Sequence, residues 1–213
     1  MTTPVAPTKE NRLLYAAGDV LVWAGLPNVG TPQAFEDVDA ITGGTYVCLG
    51  WVDTSGYIFK LDETIKDIPA AGVLTPIRSI LTGGSKTVQA NLLEGLNPHV
   101  RAMYDDVPIF PTADSPLAPV SGTVASYIIP DPPDDNRYSL IFDSIDGDKA
   151  MRLYAPFAKV TARGDDQVQQ ADVESLNLTW TFYPGLIDDG TGNMVPGVAK
   201  RYIDYGIDVT AYF

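Results

Sequence analysis

The feature that most constrains the fold is a strictly alternating segment late in the 213-residue chain. In residues 175–182 (SLNLTWTF), every second residue is large and apolar. Successive side chains of a β-strand point to opposite faces of its sheet, so this segment predicts a strand with one buried face and one polar face. Such a strand requires a second apolar layer to cover its buried face.

Further short β-rich runs follow one another along the chain, separated by turns rich in Gly, Pro and Asp. They occupy residues 20–24, 45–52, 56–67, 77–82, 86–93, 123–129, 138–143, 150–154, 157–162 and 201–209. Gly83, Gly84 and Ser85 lie between two of these runs and predict the turn of a β-hairpin. The tryptophans Trp23, Trp51 and Trp180 all lie in such runs and are predicted to belong to the core.

One segment has the pattern of a helix. Asn97 is a favourable N-cap and Pro98 suits the first helical position. Val100, Met103 and Tyr104 follow with the spacing of a single apolar stripe. We therefore predict a mainly β fold, an antiparallel β-sandwich or partly closed barrel with one short flanking α-helix. Residues 1–17 are predicted to form an N-terminal arm, 18–184 a single β domain, and 185–213 a C-terminal extension or arm.

Charge limits the partners of this chain. The formal net charge is −13 at pH 7, which argues against gripping phosphate backbones or docking on anionic membranes. There is no basic segment followed by an apolar core at the N-terminus, so we expect no signal peptide. No apolar run is long enough to span a bilayer.

The search for catalytic chemistry gives no candidate, and we predict that the protein is not an enzyme. His99 is the only histidine and Cys48 the only cysteine, so no triad or zinc set is evident. The acidic turns at 143–148 and 188–193 do not match the register of a calcium loop. We predict no catalytic, metal or cofactor site and no cofactor. Hydrolysis by two carboxylates remains open.

The order of several segments resembles the major tail tube proteins of long-tailed, siphovirus-type bacteriophages, notably those that infect actinobacteria. The first half contributes residues 56–70 (GYIFKLDETIKDIPA), 75–82 (TPIRSILT), 87–94 (TVQANLLE) and 97–104 (NPHVRAMY). The second half contributes residues 138–143 (YSLIFD), 152–156 (RLYAP), 158–161 (AKVT) and 176–184 (LNLTWTFYP). The resemblance covers residues 45–184.

This resemblance implies a tail-tube-type β-sandwich whose copies form hexameric rings that stack into the phage tail. The implied partners are further copies of the chain, a tape measure protein in the lumen during assembly, and tail terminator and distal tail proteins at the tube ends. Double-stranded DNA would pass through without specific binding, and no membrane is involved. The implied location is the virion tail, assembled in the host cytoplasm.

The resemblance also suggests which residues line the lumen and which join subunits. We predict that the polar faces of the inner strands line the lumen: Asp62, Thr87, Gln89, Asn91, Ser175, Asn177, Thr179 and Thr181. The predicted contacts between subunits or rings are Leu13, Leu14, Tyr15, Pro69, Gly72, Tyr202, Tyr205 and Phe213. The cations Lys60, Lys66 and Arg78 are expected to pair with acids or to face subunit contacts.

In this family the loop between the strands ending near Ile68 and beginning near Ile77 reaches the neighbouring ring. Here that loop spans only residues 69–75, which argues against a long stacking hairpin. The loops 27–44 and 107–120, or the two termini, are the alternatives. The alternative function is that of an acidic β-sandwich that binds or decorates a protein or carbohydrate without polymerising.

Overall fold

The fold is described from a computed structural model, for residues 15–27, 32, 46–69, 75–109, 119–121, 124–131, 135–167 and 174–206. Four of the predicted contact residues, Leu13, Leu14, Gly72 and Phe213, lie outside these ranges.

The described residues form twelve strands and one helix. The strands are β1 (Asp19–Gly25), β2 (Tyr46–Trp51), β3 (Ile58–Ile68), β4 (Arg78–Leu92), β5 (Pro119–Ser121), β6 (Val124–Ala125), β7 (Tyr138–Asp146), β8 (Lys149–Arg163), β9 (Leu176–Tyr183), β10 (Gly185–Asp188), β11 (Met194–Gly197) and β12 (Lys200–Asp204). The helix α1 spans Pro98–Tyr104.

Eight strands form one antiparallel sheet in the order β2-β1-β7-β8-β9-β4-β3, with β12 also paired to β8. The fifteen-residue strand β8 pairs with β7 along one edge. Its other edge is shared, first by β12 and then by β9. A bridge between Val52 and Leu92 links the chain just after β2 to the end of β4, so the sheet curves back on itself. The predicted antiparallel, partly closed β fold with one short helix is confirmed.

The main core lies inside this curved sheet. Along β9 the side chains at 176, 178, 180 and 182 are buried while the intervening ones are half-buried, as the alternation predicts. Trp180 lies at the centre of the core, with its ring edge-on to Phe142 at 5.7 Å between centroids. Trp51, predicted to be in the core, is instead 46% exposed, because it ends the edge strand β2.

Helix α1 lies against the sheet and contributes Val100, Ala102 and Met103 to the core. It begins as predicted, since the side chain of Asn97 accepts a hydrogen bond from the backbone N–H of His99 at 3.0 Å. The indole Nε1 of Trp180 donates to the sulfur of Met103 at 3.3 Å. The helix is therefore joined to the sheet through the most central side chain of the core.

A second, smaller apolar cluster lies on the outer face of the sheet. It comprises Trp23, Tyr46, Ile141, Tyr154 and Ile187, the last of which belongs to β10. Burial raises the pKa of Tyr46, whose hydroxyl lies 2.8 Å from that of Ser139. Residues of the predicted C-terminal extension thus cover one patch of the sheet through β10.

Beside this cluster a buried ion pair joins neighbouring positions of β7 and β8. The guanidinium of Arg152 donates to both carboxylate oxygens of Asp143, at 2.6 and 2.8 Å. A two-pronged contact of this kind satisfies both oxygens and fixes the register of the two strands. This ion pair could not be predicted from the sequence, where both residues lie in ordinary strand patterns.

We expect Met103→Ala to lower the free energy of unfolding by about 2–5 kcal/mol, because it leaves a cavity against Trp180. Chemical denaturation monitored by tryptophan fluorescence measures the change. The control is Leu96→Ala, just before the helix, where an 86% exposed side chain should contribute about 0.5 kcal/mol or less. Equal stabilities of the two variants would remove α1 from the core.

Candidate assembly surface

Strand β4 runs without interruption through Gly83 and Gly84, so the turn predicted at 83–85 is wrong. Neither glycine has a positive φ. The pairing with β3 instead shifts by one residue between Thr64 and Ile65, which makes Thr82 an extra residue in β4. Paired glycines are typical of such a β-bulge as well as of a turn, and here they lie at a bulge.

The reversal of the chain lies further on, between Ile68 and Arg78, which face each other at the end of the β3–β4 ladder. The expectation that no long hairpin forms is therefore wrong. The connection is short, as predicted, but the two strands are long. We call the segments 61–68 and 78–86 the ribbon.

The ribbon lies beyond the last residues of β4 that pair with β9, which are Thr87–Leu92. Its apolar side chains are consequently exposed, and Leu61, Ile65 and Leu81 each show 60% of their surface. Because of the bulge, Leu81 faces Ile65 across the ladder and shares the ribbon face of Leu61. Contiguous exposed apolar side chains on a strand pair indicate a contact surface.

A groove of about 470 Å³ lies where the ribbon leaves the body of the sheet. The ribbon forms one wall, and the end of β9 with Pro184 and Val198 forms the other. The lining residues are Leu61, Asp62, Glu63, Leu81, Gly84, Ser85, Lys86, Thr181, Phe182, Tyr183, Pro184 and Val198. Much of the lining is apolar, so the groove suits side chains better than a hydrated ion.

Among the residues that the structure describes, the cations on and next to the ribbon lack ion pairs, whereas several cations in the body of the sheet form them. Elsewhere in the described chain, Arg101, Arg137, Arg152, Lys159 and Arg163 each form an ion pair. Among the same described residues, no acid lies within ion-pair distance of Lys60, Lys66, Arg78 or Lys86. The expected pairing of Lys60, Lys66 and Arg78 with acids of the same chain is thus wrong, which leaves subunit contacts as the prediction.

The residues predicted to line the lumen come together on one sheet face. The ladder between β4 and β9 places Thr87, Gln89 and Asn91 opposite Thr181, Thr179 and Asn177 respectively. Gln89 donates to the Asn177 side chain at 3.1 Å. Asp62, on β3, lies opposite Ser85 of β4 and points to the same polar face of the sheet. Ser175 comes just before β9. Whether this polar face borders a channel stays a prediction.

Two further charged groups border the polar face, and the sequence analysis missed both. Asp53 accepts a hydrogen bond from Asn91 at 2.9 Å. Burial raises the pKa of Asp53, but hydrogen bonds from Ser55 and Asn91 outweigh it and hold the pKa below its ordinary value. Lys159 on β8 pairs with Asp135 at 2.8 Å, and this hydrogen bond raises the pKa of the lysine. No local pattern in the sequence indicates either contact.

Of the predicted contact residues near the termini, two form side-chain hydrogen bonds within their own chain. The hydroxyl of Tyr15 donates to Ser144 at 2.5 Å, and that of Tyr202 donates to the backbone oxygen of Pro32 at 2.6 Å. Tyr205 is half-buried after β12, and Pro69 is exposed at the end of β3. The structure thus holds Tyr15 and Tyr202 against their own subunit.

Within the described ranges, no three His, Cys, Asp or Glu side chains are grouped so as to hold a metal ion. His99 lies 3.1 Å from the backbone oxygen of Ile109 through its Nδ1. Burial raises the pKa of the Cys48 thiol, which keeps it protonated. In the part of the chain that the structure describes, no helix is long and apolar enough to cross a membrane.

Comparison with known proteins gives only weak similarity to a solved structure. No protein-family model matches the chain, and no curated protein does. Among solved structures, it is similar to a chain of "Virion of native gene transfer agent (GTA) particle". That superposition covers 86% of this chain and 99% of the other, at 10% sequence identity and a TM-score of 0.38. A similarity of this size carries no functional conclusion.

We expect Asn91→Ala to raise the pKa of Asp53, because one hydrogen bond to the charged carboxylate is lost. The folded-state pKa of Asp53 lies below the unfolded value, so its contribution to stability is present above the unfolded pKa. That contribution is lost as the pH falls through the folded pKa. Side-chain NMR titration of Asp53 measures the shift. An unchanged pKa in Asn91→Ala, matching the control Thr179→Ala, would contradict the assigned contact.

Proposed function

We propose that this chain is a structural virion protein that polymerises as stacked, hexameric rings into a bacteriophage tail tube. Its antiparallel sheet, its single flanking helix and its long ribbon agree with the family that the sequence resembles. Tape measure, tail terminator and distal tail proteins are the proposed partners, and the virion tail is the proposed location, after assembly in the host cytoplasm.

The observation that carries this proposal is the exposed apolar ribbon. A sheet protein that remains monomeric usually shortens, charges or covers its edge strands, since an open edge pairs with other chains. Here the edge strand β3 is eleven residues long. The ribbon, which β3 forms together with β4, exposes leucines and isoleucines. A contact between two different surfaces of identical copies repeats into a ring or a filament. Self-assembly is therefore the function that this surface supports best.

The polar face suits the wall of a DNA conduit. Its central side chains on β4 and β9 are uncharged amides and hydroxyls that bond to one another. The hydroxyls of Thr161 and Thr181 extend this row onto β8, 2.9 Å apart. A ring of six copies carries a formal charge of −78 (six times −13), which repels phosphates at close range. Lys60 lies on the same face, opposite Thr87, and we expect it to be turned towards a subunit contact, since a free cation in the wall would hold phosphates.

Assembly is tested by negative-stain microscopy and light scattering of the purified protein over a range of concentrations. We expect rings or tubes from the natural sequence and a large loss of both from Ile65→Asp, which places a charge on the ribbon. Ile128→Asp is the control, because Ile128 is even more exposed than Ile65 but lies outside the ribbon. Monomers or trimers without filaments would instead support a binding or decoration protein.

The channel face is tested by the double substitution Gln89→Lys with Asn177→Lys. Tubes of this variant should retain double-stranded DNA, and the retention should fall steeply as salt is added, because each lysine contacts a phosphate. The matched control carries Glu at both positions and should retain none. Intact lysine tubes that bind DNA no better than the control would place this face away from the channel.

A further inference from the structure

One edge of the ribbon has no strand beside it. From Arg78 to Lys86, strand β4 pairs with β3 on one side only. On its other side β9 accompanies β4 only along Thr87–Leu92, and the chain then leaves the sheet at Pro184. No other described strand pairs with this stretch. Its outward-facing backbone groups are therefore available for a further strand.

The groove lies directly along this open edge. It is lined on the ribbon side by Leu61 and Leu81, and on the body side by Phe182, Pro184 and Val198. A strand added to the edge would continue the line of β9, and alternate side chains would enter the groove. Backbone hydrogen bonds then supply affinity and the groove supplies specificity, as in other cases of β-strand addition.

The charges along the strands indicate which strand can add to the open edge of β4. The open stretch of β4 contains two cations, Arg78 and Lys86, and no acid. Strand β3 contains three acids, Asp62, Glu63 and Asp67, and two lysines, and its outer edge ends the sheet. In addition, β3 already pairs with this same stretch of β4 in the antiparallel sense through its inner edge, within one chain. The two open edges are thus complementary in charge and in pairing.

We propose that the outer edge of β3 in a second copy of this chain adds to the open edge of β4 between Arg78 and Lys86, beside the groove. The proposal rests on the proposed self-assembly and names the two edges that join. Because each copy offers one β3 edge and one β4 edge, the contact is heterologous and continues from copy to copy. Arg78 and Lys86 of the open stretch then lie beside the strand of a neighbour that carries three acids.

Disulfide trapping tests the pairing. In a Cys48→Ser background, tagged Ser85→Cys protein is mixed with untagged protein carrying Lys60→Cys, Asp62→Cys, Thr64→Cys or Lys66→Cys. Each chain then has a single thiol, so every cross-link joins two chains. We expect a mixed disulfide from at least one of the four mixtures, since these positions cover the registers that keep the polar faces of the two strands on the same side of the sheet. Tagged homodimers as the main product would indicate β4–β4 pairing and overturn the proposal.

Two outcomes distinguish a failure of the strand pairing from a failure of the proposed function. Absence of rings and tubes in the natural sequence contradicts the proposed function itself. Rings or tubes that give no mixed disulfide in any of the four mixtures contradict only the pairing of β3 with β4. Hydrogen exchange provides a second reading without substitutions, because assembly should slow the exchange of amides in 78–86. Unchanged exchange in assembled protein would also overturn the pairing.

A pair of neighbouring substitutions tests the groove. Leu81→Asp places a charge in the groove and should weaken self-association about tenfold or more, the equivalent of about 1.4 kcal/mol. Ile80→Asp changes the adjacent residue on the opposite face of β4 and should weaken it less. Thermal unfolding confirms that both variants fold. Self-association of Leu81→Asp at the natural strength would exclude the groove from the contact.

Discussion

The structure depends on backbone hydrogen bonding along two strands of fifteen residues, β4 and β8. Each is longer than any strand beside it, so each pairs with more than one strand along its length. Strand β8 pairs with β7, β9 and β12, and this joins residues 138–146, 176–183 and 200–204 in one sheet. Strand β4 has only β3 beside it for its first nine residues. The surplus length of β4 produces the ribbon, the groove and an open edge.

The two long strands use side chains in opposite ways. Around β8, both faces of the sheet are covered, and the charge of Arg152 is satisfied inside by Asp143. A buried pair with good geometry favours one register over others, because breaking it leaves an uncompensated charge. Around the ribbon, both faces are exposed and the cations have no acid of the described chain beside them. The body of the sheet is therefore covered within one copy, whereas the ribbon is the part that the proposed pairing with a second copy would cover.

Charge is distributed to match this division. The chain is strongly acidic, which keeps free copies apart by repulsion at low salt. The ribbon is the exception, since its three cations, Lys66, Arg78 and Lys86, balance its three acids. Exposed leucines and isoleucines lie among them. The polar face between β4 and β9 is different again, with amides and hydroxyls that bond among themselves. A single sheet thus presents a face of amides and hydroxyls, an apolar ribbon whose charges balance, and an acidic remainder.

The sequence by itself determined the fold class, the alternation of β9 and the start of α1 at Asn97. These features follow from local rules of side-chain period and capping, which act over a few residues. Only the tertiary structure decided that Gly83 and Gly84 lie at a bulge, that Trp51 is exposed, that Asp143 meets Arg152, and that Asp53 joins the polar face. Turn and bulge have the same local signature, and burial depends on which strand lies at the edge. Both are settled by the pairing of segments far apart in the chain, and local patterns carry no information about that pairing.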